Sequence, residues 1–88
     1  MNKKLKRKWV AALRGGSWKQ CKDVYWRDGG ERCVVGVLLS VLEIEFREVG
    51  LSDKLDPYLP IHSRVTLYDM NDRGSTFGEM ADWIEANL

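Results

Sequence analysis

Apolar residues recur with helical spacing near the start of the chain. Within residues 3–14 they are Leu5, Trp9, Ala12 and Leu13. Spacings of three and four residues place side chains on one face of an α-helix, so the pattern predicts a helix from Lys3 to Arg14. Gly15 and Gly16 follow directly and should end this helix, because glycine adopts the backbone of a helix C-terminus without steric cost.

A second helix is predicted at the other end of the chain, beginning with a capping signal. Thr76 is followed three residues later by Glu79, the spacing at which each side chain bonds the other residue's backbone N–H. The apolar residues that then recur at helical spacing are Phe77, Met80, Ala81, Ile84 and Leu88. The pattern predicts an amphipathic helix that begins after Thr76.

The middle of the chain carries strand and turn signals. Tyr25 and Trp26 favour a strand and Asp28-Gly29-Gly30 favours a turn, which predicts a β-hairpin over residues 21–35. A two-residue turn would place Trp26 opposite Cys33, and Arg27 opposite Arg32. The apolar run that continues to Leu42 is long for a strand, so it predicts a short strand leading into a central buried helix. Gly36 would let that helix approach a neighbour closely.

Signals between residues 43 and 70 are weaker. Alternation of Ile44 and Phe46 with charged residues predicts a short, half-buried strand or extended segment over Glu43–Val49. Two prolines mark Gly50–Pro60 as a loop, and the pattern of His62–Met70 fits a helix or a strand. The whole chain therefore predicts one domain over residues 1–88, of the α+β, helix-rich class.

Composition agrees with a folded globular protein, since 44% of the residues are hydrophobic, 31% are charged and four are tryptophan. The apolar run Trp9–Leu13 is short for a signal peptide, and Cys33–Leu42 is too short to cross a bilayer. Two cysteines, Cys21 and Cys33, do not suggest a disulfide framework. We therefore expect no membrane segment, a cytoplasmic location and reduced thiols.

Charge is distributed unevenly along the sequence. Residues 1–22 contain eight basic and no acidic side chains, whereas residues 23–88 contain six basic and thirteen acidic ones; +8 and −7 give the net charge of +1. The basic helix would face the acidic C-terminal helix, a nucleic acid or a protein partner. The residues hypothesised to bind are Lys3, Lys4, Lys6, Arg7 and Lys8 on the basic side and Asp69, Asn71 and Asp72 on the acidic side.

The segment from Asp69 to Met80 almost matches a calcium-binding loop. Asp69, Asn71 and Gly74 occupy three of the required positions. Arg73 stands where a fifth-position oxygen ligand is needed, and Met80 replaces the closing glutamate. The match is therefore rejected, and the polar residues are interpreted as a turn in which Gly74 has a positive φ.

No other metal or catalytic motif is convincing. Cys21, Cys33 and His62 lack the paired spacing of zinc ligands, and a Cys–His pair with His62 as base has no further support. The paired acids resemble ordinary solvated ones, and the paired glycines lack the context of a phosphate-binding loop. The sequence predicts a protein without metal or cofactor that is not an enzyme.

Three segments resemble one family. Trp9–Gln20 is similar to W-V-x-A-L-R-S-G-x-Y-x-Q, and Cys33–Leu38 to C-x-x-G-V-L. Leu67–Leu88 is similar to L-x-x-L-N-D-x-G-x-S-F-x-E-I-A-D-x-I-E. These motifs belong to small uncharacterised phage and prophage proteins, although Trp18 replaces their tyrosine and their additional cysteines are absent. The resemblance implies a phage origin and a helix through Leu67–Met70, which would form a C-terminal α-hairpin with the last helix.

Phage origin and the absence of a catalytic motif lead to a functional hypothesis. The protein would bind a host protein or complex stoichiometrically, as small anti-CRISPR inhibitors of bacterial defence systems do, in the cytoplasm of the bacterial host. One alternative is a nucleic-acid-binding accessory protein that uses the basic helix and the aromatic residues near it. Another alternative is a homodimeric structural protein.

Overall fold

Five helices and a small sheet form the fold in the computed structural model, which describes residues 1–47 and 49–88. The helices are α1 (Lys3–Arg14), α2 (Val34–Val41), α3 (Leu51–Leu55), α4 (Ile61–Asp72) and α5 (Phe77–Asn87). The strands are β1 (Lys19–Gln20), β2 (Trp26–Arg27) and β3 (Glu31–Arg32). The predicted helix-rich α+β class is confirmed.

Helix α1 has the predicted bounds. The Asn2 side chain accepts a hydrogen bond from the backbone N–H of Leu5 at 3.0 Å and caps the helix start. At the other end Gly16 has a φ of 72°, as expected of a glycine that stops a helix. The face that carries the fully buried Trp9 packs against α2 and α5, and the Trp9 indole donates to the carbonyl of Val34 at 3.0 Å.

The predicted β-hairpin is present, but its predicted register is wrong. Strands β2 and β3 are antiparallel with Arg27 opposite Glu31 and Trp26 opposite Arg32. The turn therefore contains three residues, Asp28 to Gly30, rather than two. Gly29 and Gly30 both have positive φ, at 90° and 81°, a conformation that glycine adopts readily. The additional turn residue moves the pairing of β2 with β3 by one position.

Strand β1 was not predicted and changes the position of Cys21. It runs parallel to β3, with Lys19 opposite Glu31 and Gln20 opposite Arg32. The next residue, Cys21, donates its backbone N–H to the Arg32 carbonyl at 2.9 Å, which places it beside the start of α2. A two-residue hairpin turn would instead have placed Cys21 well away from Cys33, so this consequence of the predicted register is also wrong. Both thiols are buried and free, as expected.

Helix α2 is the predicted central helix and forms the middle of the core. Five of its apolar residues are completely buried, namely Val34, Val35, Val37, Leu38 and Leu39, and Val41 is partly buried. Cys33 caps it, because the sulfur accepts a hydrogen bond from the Gly36 N–H at 3.3 Å. The predicted close approach at Gly36 is also confirmed, since a Cβ at this position would lie 1.9 Å from the Tyr25 carbonyl oxygen.

Two predictions between residues 43 and 60 are wrong. The segment predicted as a strand or extended segment contains no strand in its described residues, and turns occupy residue 43 and residues 46–47. Glu43 has a φ of 60°, and its N–H bonds back to the Ser40 carbonyl at 3.1 Å. Val49 is also outside any strand, while Glu48 lies outside the described residues. The predicted loop contains helix α3, which buries Leu55 in the core. Both prolines lie after α3, so they do not interrupt it.

The implied C-terminal α-hairpin is confirmed. Residues 61–72 are helical, and α4 packs against α5 across a short turn in which Gly74 has a φ of 97°. The predicted capping box is also present. The Glu79 N–H donates to Thr76 Oγ1 at 3.1 Å, and the Thr76 N–H donates to Glu79 Oε1 at 2.9 Å.

Candidate functional site

The basic residues at the start of α1 form an exposed surface. Four of them, Lys3, Lys4, Arg7 and Lys8, are exposed, and Lys6 is partly buried. We call these five residues the basic face. Within the described parts of the chain, none of the five forms an ion pair, and no acidic residue lies in the first turn of α1. Their charges are therefore left to solvent or to a partner.

Arg14, at the other end of α1, behaves differently. Its guanidinium lies 2.7 Å from the Asp82 carboxylate and 3.5 Å from that of Glu85, both on α5. The hydrogen bond to Asp82 raises the pKa of Arg14 above its ordinary value. The interpretation in which the basic helix faces the acidic C-terminal helix therefore holds for Arg14 but not for the basic face.

The acidic set of hypothesised binding residues lies on another helix, at the end of α4. Asp69 pairs with Arg73 at 2.8 Å on the surface, one helical turn further on. Asp72 accepts a hydrogen bond from the Asp23 backbone N–H at 3.0 Å. Asn71 lies in the interior with 1% of its surface exposed, so its side chain acts inside the protein.

The buried amide of Asn71 connects three elements. Its Oδ1 accepts hydrogen bonds from the Val34 N–H at 3.1 Å and from Gln20 Nε2 at 3.2 Å. Its Nδ2 donates to the Cys21 carbonyl at 2.7 Å. One side chain on α4 thus satisfies backbone groups at the start of α2 and the end of β1. Asn71 and Arg64 are the two buried polar or charged residues in the described part of the chain.

A groove of about 740 Å³ lies between the segment before β2 and helix α4. Its lining residues are Asp23, Val24, Tyr25, Trp26, Cys33, Tyr68, Asn71 and Asp72. We call it the tyrosine groove, because the hydroxyls of Tyr25 and Tyr68 are 2.7 Å apart and their rings are tilted by 54°. Sequence reasoning missed it because no local pattern relates tyrosines that are separated by 43 positions.

Burial favours the neutral forms of two residues that line the tyrosine groove, Tyr68 and Cys33. Desolvation raises the pKa of Tyr68, and its hydrogen bond with Tyr25 raises that pKa further. Desolvation also raises the pKa of the Cys33 thiol to about 11. The groove is also lined by two carboxylate residues, Asp23 and Asp72, neither of which forms an ion pair with a described residue.

Aromatic residues near the sheet form a separate cluster around Arg32. The guanidinium carbon lies 4.5 Å from the Trp18 ring centre and 4.6 Å from the Phe46 ring centre. Trp26 stacks on Phe46, with ring centres 5.5 Å apart and planes 24° apart. Arg32 also donates from Nε to Ser40 Oγ at 3.2 Å. These rings therefore already have cationic and aromatic partners within the protein.

Within residues 1–47 and 49–88, no three side chains of histidine, cysteine, aspartate or glutamate converge as metal ligands do. Over the same residues, no helix combines the length and the apolar character that a membrane-spanning helix requires.

The buried Cys33 thiol predicts a dependence of stability on alkaline pH. Its folded pKa of about 11 exceeds the ordinary 9.0, so the folded state holds the proton more tightly than the unfolded state. The contribution of Cys33 to the free energy of unfolding should therefore be constant below pH 9 and fall by about 1.4 kcal/mol per unit between pH 9 and the folded pKa of about 11. Urea unfolding at pH 8 to 10.5 measures this. Cys33→Ser, which keeps a capping side chain without a titrating thiol, should flatten the decline relative to Asn87→Ser; equal slopes would contradict the assignment.

These features define a small, helix-rich α+β domain with an exposed basic helix face and a separate aromatic groove. The chain belongs to the family described as a domain of unknown function, DUF8296, whose model matches residues 1–57. The matched part contains the basic face, the sheet and α2, whereas Tyr68, Asn71 and Asp72 lie beyond it. No curated protein and no solved structure matches the chain.

Proposed function

We propose that this protein is a stoichiometric binding protein rather than an enzyme, and that its basic face engages an acidic surface of a partner protein. The observation that carries the proposal is that five cations occupy the first two turns of α1 without forming an ion pair among the described residues. Exposed, like-charged side chains on a rigid helix suit electrostatic steering onto a complementary surface.

The arrangement is locally unfavourable in the unbound protein. Backbone N–H groups give a helix start a partial positive charge, and each cation there costs about 0.3–1 kcal/mol at low salt. Lys4 and Lys8 are four residues apart, and so are Lys3 and Arg7, which places like charges next to each other on the helix surface. An anionic partner surface would relieve both repulsions, so removal of this unfavourable electrostatic free energy would add to the free energy of binding.

A protein partner is favoured over nucleic acid by the packing of the aromatic residues. A single-stranded nucleic acid would need open ring faces on which bases stack. One face of Trp26 is occupied by Phe46, and one face of Trp18 is occupied by Arg32. The thirteen acidic residues after position 22 would also repel phosphates over much of the surface.

The partner class follows from the resemblance to small phage and prophage proteins. A phage protein of this size without a catalytic group acts by occupying a surface, and in the cytoplasm of the bacterial host its targets include the complexes of defence systems. The finer part of the proposal is therefore inhibition of such a complex, as anti-CRISPR proteins inhibit theirs.

A matched pair of variants tests the use of the basic face. The first replaces its four exposed residues, Lys3, Lys4, Arg7 and Lys8, with glutamine. The control replaces four exposed basic residues elsewhere, namely Lys19, Lys22, Arg47 and Arg73. Each variant changes the net charge by the same amount, from +1 to −3. The immobilised proteins are then exposed at low salt to bacterial lysate, once untreated and once after nuclease treatment.

The basic-face variant should lose the captured partner while the control keeps it. It should also be more stable than the parent, by about 1 kcal/mol in urea unfolding at low salt, because the repulsion at the helix start is gone. Equal loss in both variants would indicate bulk charge attraction, and full retention would remove the basic face from the proposal. Capture that disappears with nuclease treatment would support the nucleic-acid alternative. A concentration-dependent dimer, with no foreign partner captured, would support the homodimeric alternative.

A further inference from the structure

We propose that the tyrosine groove binds an organic cation, an ammonium or guanidinium group on a short aliphatic stem. The volume of about 740 Å³ is within the range of small-molecule sites, and the lining residues combine aromatic rings with two carboxylates. This site is independent of the proposed function, because the basic face attracts anions whereas the groove attracts cations.

The walls suit a positive charge. Tyr25 and Tyr68 contribute rings, and Trp26, one face of which stacks on Phe46, lines the same groove. The negative faces of aromatic rings attract ammonium and guanidinium groups at distances up to about 6 Å. The half-exposed Val24 contributes apolar surface for the methylene groups of the stem. A tyrosine hydroxyl is neutral at pH 7, and desolvation raises the pKa of Tyr68 further, so its oxygen offers lone pairs to an N–H donor without a negative charge.

Two carboxylates supply the countercharge at the edge of the groove. The Asp72 carboxylate accepts the Asp23 N–H at 3.0 Å, and this bond holds Asp23 at a φ of 68°, a backbone conformation that few residues with side chains adopt. The two acidic residues are thus joined by the fold, and the carboxylate of neither is neutralised by an ion pair among the described residues. A bound cation could therefore form an ion pair with these carboxylates while it contacts the aromatic rings.

Conservative variants can remove this charge without removing the fold. In Asp72→Asn the side-chain oxygen still accepts the Asp23 N–H, and in Asp23→Asn the new residue tolerates a positive φ well. The matched control combines Asp28→Asn, in the hairpin turn, with Asp69→Asn on the surface of α4. Both double variants change the net charge from +1 to +3, but neither control position lines the groove.

The probes are n-butylguanidinium and its neutral isostere n-butylurea, titrated into the isotopically labelled protein while NMR shifts are followed. Saturable shifts at Tyr25, Trp26 and Tyr68 are expected with n-butylguanidinium, and affinity for it should fall about tenfold in Asp23→Asn/Asp72→Asn but not in the control. A second probe, N-acetyl-arginine methylamide, distinguishes a free cation from a basic side chain of a protein. Tighter binding of this probe than of n-butylguanidinium assigns the groove to a peptide, and weaker binding assigns it to a free small molecule.

The proposal would be overturned if n-butylurea bound as tightly as n-butylguanidinium, or if both double variants lost the same affinity. It would also be overturned if no saturable shifts appeared at probe concentrations up to about 50-fold above 1 mM, since small probes of this kind reach dissociation constants of about 1 mM. Partner capture by the basic face is measured separately. Loss of one property therefore leaves the other intact, and the two proposals can fail independently.

Discussion

Replacing Gly36 with alanine is expected to remove most of the stability of this protein. A methyl group at Gly36 would lie 1.9 Å from the Tyr25 carbonyl oxygen, where an unbonded carbon cannot fit. The obstacle is backbone rather than a flexible side chain, so α2 and the segment before β2 must separate. That carbonyl accepts the Cys33 N–H at 3.1 Å, and the separation would break this hydrogen bond at the start of α2.

The expected loss combines overpacking with a broken buried hydrogen bond. Overpacking of a core costs about 1–3 kcal/mol, and an unsatisfied buried backbone group adds about 1–3 kcal/mol. A domain of this size has on the order of 5 kcal/mol to lose. Gly36→Ala should therefore be largely unfolded at room temperature, with weak protection in amide hydrogen exchange and a midpoint near zero urea.

Gly78→Ala provides a control of the same chemistry. Gly78 is also helical, in the first turn of α5, but the nearest atom to its added Cβ would be Thr76 Oγ1 at an ordinary 3.8 Å. Alanine reduces the entropy of the unfolded chain, so this variant should gain about 0.5 kcal/mol. The prediction would be contradicted if the two variants had the same urea midpoint, or if Gly36→Ala lowered the free energy of unfolding by less than about 1 kcal/mol.

The parts of the fold that the sequence predicts well depend on local physics. The bounds of α1 follow from its apolar spacing and from Gly15-Gly16, and the start of α5 follows from the reciprocal bonds of Thr76 and Glu79. Even the tight packing at Gly36 could be anticipated, because a glycine within an apolar run commonly marks a place where another backbone approaches closely. At both helix termini the signal and its cause lie within a few residues of each other, whereas the glycine at position 36 marks a contact with Tyr25, eleven positions earlier in the chain.

The failed predictions depend on tertiary contacts or on two-residue elements. Strands of two residues have no measurable alternation, so β1 had no pattern and the register of β2 on β3 depended on how many residues the turn uses. The alternation of Ile44 and Phe46 suggested a strand, but both side chains pack against the core from a segment without regular secondary structure. Helix α3 has five residues, too few for a helical period to appear.

The candidate site was predictable only in part. The cations of the basic face were recognisable in the sequence as a block of like charges. Their lack of ion pairs within the described residues could not be predicted, because it depends on where the fold places the acidic side chains. The tyrosine groove depends on α4 meeting the segment before β2, which is a long-range contact. The polar cluster around Asn71 was recognised, but its buried environment was not, because burial of an amide depends on partners elsewhere in the chain.

Asn71→Ala is expected to have the second largest effect, and it separates a structural role for this residue from a binding role. The substitution removes both donor and acceptor from a site that is 1% exposed. The Val34 N–H and the Cys21 carbonyl would then be buried without these hydrogen bonds, at a cost of about 1–3 kcal/mol each. We expect the free energy of unfolding to fall by about 3 kcal/mol, with β1 and the start of α2 exchanging their amide hydrogens first.

The matched control is Asn87→Ala, because the Asn87 amide lies on the surface and bonds only the Trp83 carbonyl of its own helix, at 2.8 Å, among the described contacts. Its loss should change stability by less than about 0.5 kcal/mol. Urea unfolding of both variants, with partner capture at a temperature where both remain folded, then discriminates the two roles. A structural Asn71 predicts a large loss of stability and capture equal to that of Asn87→Ala. Unchanged stability with lost capture would instead return Asn71 to the binding surface, and would mean that its buried hydrogen bonds to Val34 and Cys21 contribute little to the fold.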